Sequence, residues 1–174
     1  MCVVALVGLS GAGKSTVAPL LAALLGGGWI DLDDEIAREA GESVATLLRR
    51  DGEAAFRAGE ASALRGVLEA VHPPCVLACG GGILSREECR VLLRARAFVV
   101  WLRVMPEVAG ARLGTAGAAV RPLLDGPEPP SGRLAALERE RRKAYEAAAD
   151  LAVETGGRSP EEIAGEIHRR LAAR

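Results

Sequence analysis

Apolar positions along this chain follow two periods. Continuous apolar runs stand at residues 2–7, 75–79 and 97–102, and shorter strand-like stretches at 29–31 and 151–154 end on a carboxylate. Runs of this length without polar alternation predict strands buried on both faces. Between them, apolar residues recur at helical spacing. That spacing predicts helices over 14–25, from Asp33 or Asp34 to near Gly41, then over 43–50, 53–71, 85–96, 107–113 and 133–149, with a last one from Ser159. Gly26-Gly27-Gly28, Gly52 and Pro73-Pro74 stop three of these, and Gly59 and Gly66 weaken the long helix they lie in. Ser85 with Glu88, and Ser159 with Pro160 and Glu162, read as helix caps.

Strands and helices therefore alternate, which predicts one α/β domain with a parallel sheet covered on both faces and right-handed crossovers. Ligands of such sheets sit at the carboxyl ends of the strands. Residues 114–132 break the pattern: they are rich in Gly and Pro and show little periodicity. A long irregular stretch inside a compact domain is usually functional, and here it reads as a lid.

Composition narrows the classes. The chain has 174 residues and a net charge of −1, so no overall field draws it to nucleic acid or a membrane. Its aromatic residues are two Trp, one Tyr and two Phe, too few for a base-stacking platform. Cys2, Cys75, Cys79 and Cys89 lack a zinc-type spacing and read as reduced, buried thiols. No basic segment leads into a long apolar core at the start, and no run approaches membrane-spanning length. A cytoplasmic protein is the expectation.

The chemistry begins at Gly8-Leu9-Ser10-Gly11-Ala12-Gly13-Lys14-Ser15, followed by Thr16. This is a P-loop pattern, placed as it should be between a strand and a helix. Its glycines let successive N–H groups of Gly11, Ala12 and Gly13 face one phosphate, at the positive end of the following helix. Lys14 suits the β- and γ-phosphates, and Ser15 suits Mg²⁺. The chain has two lysines, Lys14 and Lys143, among 22 basic residues, so Lys stands where a compact ammonium is wanted.

Further polar motifs fall at strand ends. Asp31, after the second strand, can hold Mg²⁺ directly or through water. Asp33 can orient an acceptor hydroxyl and take its proton, although Asp33 and Asp34 equally suit a helix cap. Arg57 and Arg141 read on their own as solvated helix arginines, with Glu60 one turn from Arg57. Gly80-Gly81-Gly82 is either an ordinary turn or a place where a substrate approaches the backbone. Arg121, in Arg121-Pro122-Leu123-Leu124, is either a loop residue or a lid arginine that closes on the γ-phosphate.

Taken together, the motifs at 8–16, Asp-Leu-Asp at 31–33, Phe-Arg-x-x-Glu at 56–60, Gly-Gly-Gly at 80–82, Arg-Pro-Leu-Leu at 121–124 and Arg-x-x-x-Tyr at 141–145 resemble the shikimate kinase family. The resemblance runs from residue 3 to about residue 170. It implies a three-layer αβα P-loop kinase fold with a five-stranded parallel sheet of order 2-3-1-4-5. It also implies a substrate-binding subdomain at about 32–71 and a lid at about 113–130. The implied reaction moves the γ-phosphoryl group of ATP to the 3-hydroxyl of shikimate with Mg²⁺. The implied roles are ATP binding by residues 11–16, with Lys14, Asp33 and Arg121 catalytic and Ser15 and Asp31 at the metal. Asp33, Arg57, Gly81, Gly82 and Arg141 would bind shikimate, the two arginines at its carboxylate. Arg112 and Arg158 would sandwich adenine. The expected partners are ATP and shikimate, with no nucleic acid or membrane, and the expected state is a monomer.

Lys143-Ala144 departs from the family's usual Pro-Leu before the tyrosine, and Gly59 is unusual within its helix. Two readings compete. A kinase for another small molecule, such as gluconate, would share the P-loop core and differ at the acceptor. A binding module would hold ATP without turnover. A GTPase switch is excluded, because its guanine-reading Asn-Lys-x-Asp cannot occur in a chain without asparagine.

Overall fold

Strand β1 (Val3–Val7) is buried at every position. Val3, Ala5 and Val7 enter one apolar core, and Val4 and Leu6 enter another. A strand with a core on each face has no polar side to show, which is why its sequence runs apolar without alternation. The computed structural model describes residues 3–119 and 129–174. Arg121, Cys2 and half of the expected lid lie outside the described residues.

β1 is followed by α1 (Lys14–Leu25), β2 (Gly28–Asp31), α2 (Leu32–Ala40), α3 (Val44–Ala70) and β3 (Cys75–Ala78). A 3₁₀ turn (Ile83–Ser85) then leads to α4 (Glu87–Arg96), β4 (Ala97–Arg103), α5 (Pro106–Ala119), α6 (Pro130–Ala148), β5 (Leu151–Glu154) and α7 (Pro160–Ala172). The five strands form one parallel sheet in the order β2-β3-β1-β4-β5. This is the expected fold and strand order. β1 is central, so the loop after it, the end of β2 and the end of β3 open on one edge.

Three local expectations are corrected. The cap of α2 is Asp31, not Asp33 or Asp34: its side chain accepts from the Asp33 N–H at 3.0 Å. The reason is the strand, whose last residue is still extended when the helix starts at Leu32. Ser85 and Glu88 form no capping box. Ser85 belongs to the 3₁₀ turn, where its N–H bonds Gly82 O at 2.9 Å, and α4 starts behind Arg86 with no side-chain cap. Glu88 accepts from Arg65 instead. Part of the irregular segment is helical, since α5 continues past a kink at Gly114 and α6 already begins at Pro130.

Other punctuation falls where expected. Gly52 interrupts α3 with φ 79°, ψ 167°, a conformation that costs glycine least. Gly26 ends α1, and Ser159 with Glu162 makes a reciprocal capping box on α7. Cys75, Cys79 and Cys89 are buried and unpaired. No helix among the described residues is long and apolar enough to cross a membrane.

Candidate active site

The turn between β1 and α1 lines a cavity of about 370 Å³ together with Asp31, Asp33, Gly80, Gly81 and Arg112. Gly13, at φ 94°, turns the chain into α1, so the first free N–H groups of that helix meet the cavity. Lys14 folds back over the loop, donating from Nζ to Gly8 O at 2.9 Å and Leu9 O at 2.8 Å. An ammonium held by two carbonyls stays near the loop.

Ser15 donates to Asp31 Oδ2 at 2.5 Å, and Asp31 Oδ1 holds the Asp33 amide. One carboxylate thus ties the P-loop helix to the start of α2. The pair presents two hard oxygens, the donor type that Mg²⁺ takes. Asp33 follows in the first turn of α2 and lines the same cavity.

Across the cavity, two carboxylates converge on Gly80. A Cβ there would stand 2.6 Å from Glu60 Oε1 and 2.9 Å from Asp33 Oδ1, so a side chain at this position would have to displace the two carboxylates. Glu60 is 1% exposed. Its Oε2 accepts from Arg57 Nη1 at 2.8 Å, while its Oε1 has no hydrogen-bond partner among the described residues. Burial raises the Glu60 carboxyl above its ordinary value; Arg57 opposes this and Asp33 adds to it. Burial tends to lower the Arg57 guanidinium, but Glu60 and Glu53 outweigh it and leave the group raised and charged.

The next two glycines meet the arginines. A Cβ at Gly82 would collide with the Arg57 guanidinium. The Gly81 carbonyl accepts from Arg141 Nη1 at 3.0 Å and from the Tyr145 hydroxyl at 2.6 Å. Tyr145 stacks on Trp101 at 5.4 Å, and burial pushes its hydroxyl up to about 12, so it remains a donor. The Gly81–Gly82 peptide is trans, so the Gly82 N–H points away from Arg141 and Tyr145. Arg57 and Arg141, both buried, lie outside the lining of the cavity and meet at Glu53.

The family profile described as Shikimate kinase matches residues 10–172 of this chain. This chain belongs to the shikimate kinase family. A shikimate kinase from Symbiobacterium thermophilum is 40% identical over 171 residues, covering 98% of this chain and 97% of the relative. One from Thermobifida fusca is 44% identical, covering 97% of this chain and 94% of the relative. Among solved structures, the shikimate kinase from Acinetobacter baumannii in complex with shikimate superposes with a TM-score of 0.93 at 32% identity. That match covers 99% of this chain and 94% of the other.

As a shikimate kinase family member, the chain brings together most of the residues expected at the site. Gly11, Gly13, Lys14, Ser15, Thr16, Asp31, Asp33, Gly81 and Arg112 share one cavity wall, and Ala12 is buried within the loop. Arg112 bridges Gly11 O and Thr155, joining the P-loop to the end of β5. Arg158 is outside that wall and bonds Glu166 and the Glu154 carbonyl. Glu53 carries no assignment from sequence. Its one signal is the four-residue spacing to Arg57 on a helix. Glu60, which the sequence leaves as either a surface bridge to Arg57 or a group that holds it in place, is buried and bonded to Arg57.

Proposed function

We propose that this protein transfers the γ-phosphoryl group of ATP to the 3-hydroxyl of shikimate, giving shikimate 3-phosphate and ADP. The observation that carries the reading is the acceptor side. Two buried arginines and Asp33 gather around one glycine turn beside a phosphate loop, in a chain of this family. A relative at TM-score 0.93 is named as binding shikimate.

Each group has a task. The amides of Gly11, Ala12 and Gly13 receive phosphate oxygens, with Ser15 and Thr16 at the helix start. Lys14 exchanges its carbonyl partners for the β- and γ-phosphates. Mg²⁺, when bound, would neutralise phosphate charge. Ser15 and Asp31 fit it, as adjacent hard oxygens with room beside them in the cavity. Arg57 and Arg141 hold the shikimate carboxylate by charge-assisted hydrogen bonds. Gly81 and Gly82 meet the ring substituents through the backbone. Asp33 orients the 3-hydroxyl toward the γ-phosphate and accepts its proton. Phosphoryl transfer needs little covalent help, so positioning and charge do the catalytic work.

Arg112 and Arg158 flank the adenine in this reading. Residues 32–71 act as the acceptor-binding subdomain. A lid at about 113–130 brings Arg121 to the phosphates and excludes water. One chain supplies every group named, which supports action as a monomer; a cytoplasmic place belongs to the same reading, since the reaction draws on ATP. Shikimate-dependent release of ADP tests the reading, and its absence would reject it.

A further inference from the structure

Two buried arginines share one half-exposed carboxylate. Glu53 Oε1 lies 3.2 Å from Arg57 Nη2, 3.4 Å from Arg57 Nε and 3.9 Å from Arg141 Nη2. The arginine side chains are 9% and 8% exposed, while that of Glu53 is 49% exposed. We propose that Glu53 is a resident competitor: it occupies the place of the acceptor's carboxylate in the empty protein and leaves when the acceptor binds. This rests on the reading of Arg57 and Arg141 as the carboxylate clamp.

Charge makes the occupancy exclusive. Two guanidiniums face two carboxylates, Glu53 and Glu60. Glu60 is sealed in and cannot leave. A substrate carboxylate added to both would put an excess negative charge in a desolvated place, which is costly. Glu53 is the carboxylate free to go. It directly follows the Gly52 kink, and half of its surface already meets water. It also fills the clamp incompletely. Its distance to Arg141 is beyond hydrogen-bond range, and the buried Arg141 Nε has no partner among the described residues. A ligand carboxylate that bonds both arginines therefore wins the exchange. An uncharged polyol has nothing to exchange for Glu53, so the contact also filters acceptors by charge.

The test is calorimetric binding of shikimate to the nucleotide-free protein. Glu53→Ala and Glu53→Gln should each tighten shikimate binding about three- to five-fold, the scale of a partly exposed ion pair, with ATP affinity unchanged. Arg57→Lys, which keeps a cation beside Glu60, is the control. If it weakens shikimate binding but neither Glu53 variant tightens it, the competitor role is overturned and the clamp stands. Weaker binding in the Glu53 variants would make Glu53 a positioning residue instead and also overturns the proposal. If Arg57→Lys leaves shikimate affinity intact, the clamp reading falls and the competitor with it. Should the alanine variant fail to fold, the glutamine variant decides.

Discussion

Arg57 Nη1 donates to Glu60 Oε2 at 2.8 Å, and both side chains are buried within one turn of α3. This bond sets the guanidinium against Gly82, on the acceptor side of the site. Burial raises the folded-state pKa of Glu60 above its ordinary value, and this bond opposes the rise without cancelling it.

The sign of the resulting pH dependence follows by linkage. The folded protein holds the Glu60 proton more tightly than the unfolded chain, whose value is the ordinary 4.5. The stability from this group is full below that value and is lost as pH rises through the folded one. Glu60→Gln removes the titration. Urea melts between about pH 4 and about pH 8 should show wild-type stability falling relative to E60Q as pH rises. Parallel curves would contradict the raised value.

Gly82→Ala tests the arginine's placement without touching it. The atoms nearest the new methyl group all belong to the Arg57 guanidinium, and none of them to the backbone, so the guanidinium is what has to shift. Shikimate KM should rise roughly ten-fold or more, the loss of one charged hydrogen bond, while ATP KM stays within about two-fold. Equal rises for both substrates would mean that the turn itself had collapsed.

Asp31 caps α2 and, in the proposed reading, also holds Mg²⁺; Asp31→Asn separates the two. Asparagine caps a helix about as well as aspartate, so stability should change by less than about 1 kcal/mol. The Mg²⁺ concentration for half-maximal rate should rise about ten-fold or more, because a charged oxygen beside Ser15 is gone. Ser15→Ala should shift it in the same direction. An unchanged Mg²⁺ titration in both would remove these residues from the metal's site.

What was legible in the sequence is what acts locally. The apolar runs that became β1, β3 and β4, the glycine loop and the break at Gly52 each carry their signal within a few residues. The cap of α2 was not legible in this way. Asp33 and Asp34 read as the caps because Asp31 reads as strand, and the true choice depends on where β2 ends, which is set by its pairing with Cys75–Ala78. Ser85 and Glu88 have capping spacing, yet the turn at Gly82 draws Ser85 into a 3₁₀ bond first. Arg57 and Arg141 are ordinary helix arginines until tertiary packing buries both near Glu53 and the Gly81 carbonyl. That burial is also what gives Glu53 a meaning that its exposed position on α3 does not carry in sequence.

Asp33→Asn probes the proton step. The amide keeps the shape of the side chain but cannot take a proton. Turnover should fall by about 10²- to 10⁴-fold, with ATP affinity unchanged by direct binding. Turnover within a few-fold of wild type would leave Asp33 as a residue of α2 alone.

The most direct measurement of the central claim is ADP release with Mg²⁺-ATP across a panel of acceptors, among them shikimate, gluconate and simple polyols. The account predicts release with shikimate and none above the no-acceptor background with gluconate or the polyols. Release with gluconate or a polyol but not with shikimate, or no acceptor-dependent release at all, would contradict it.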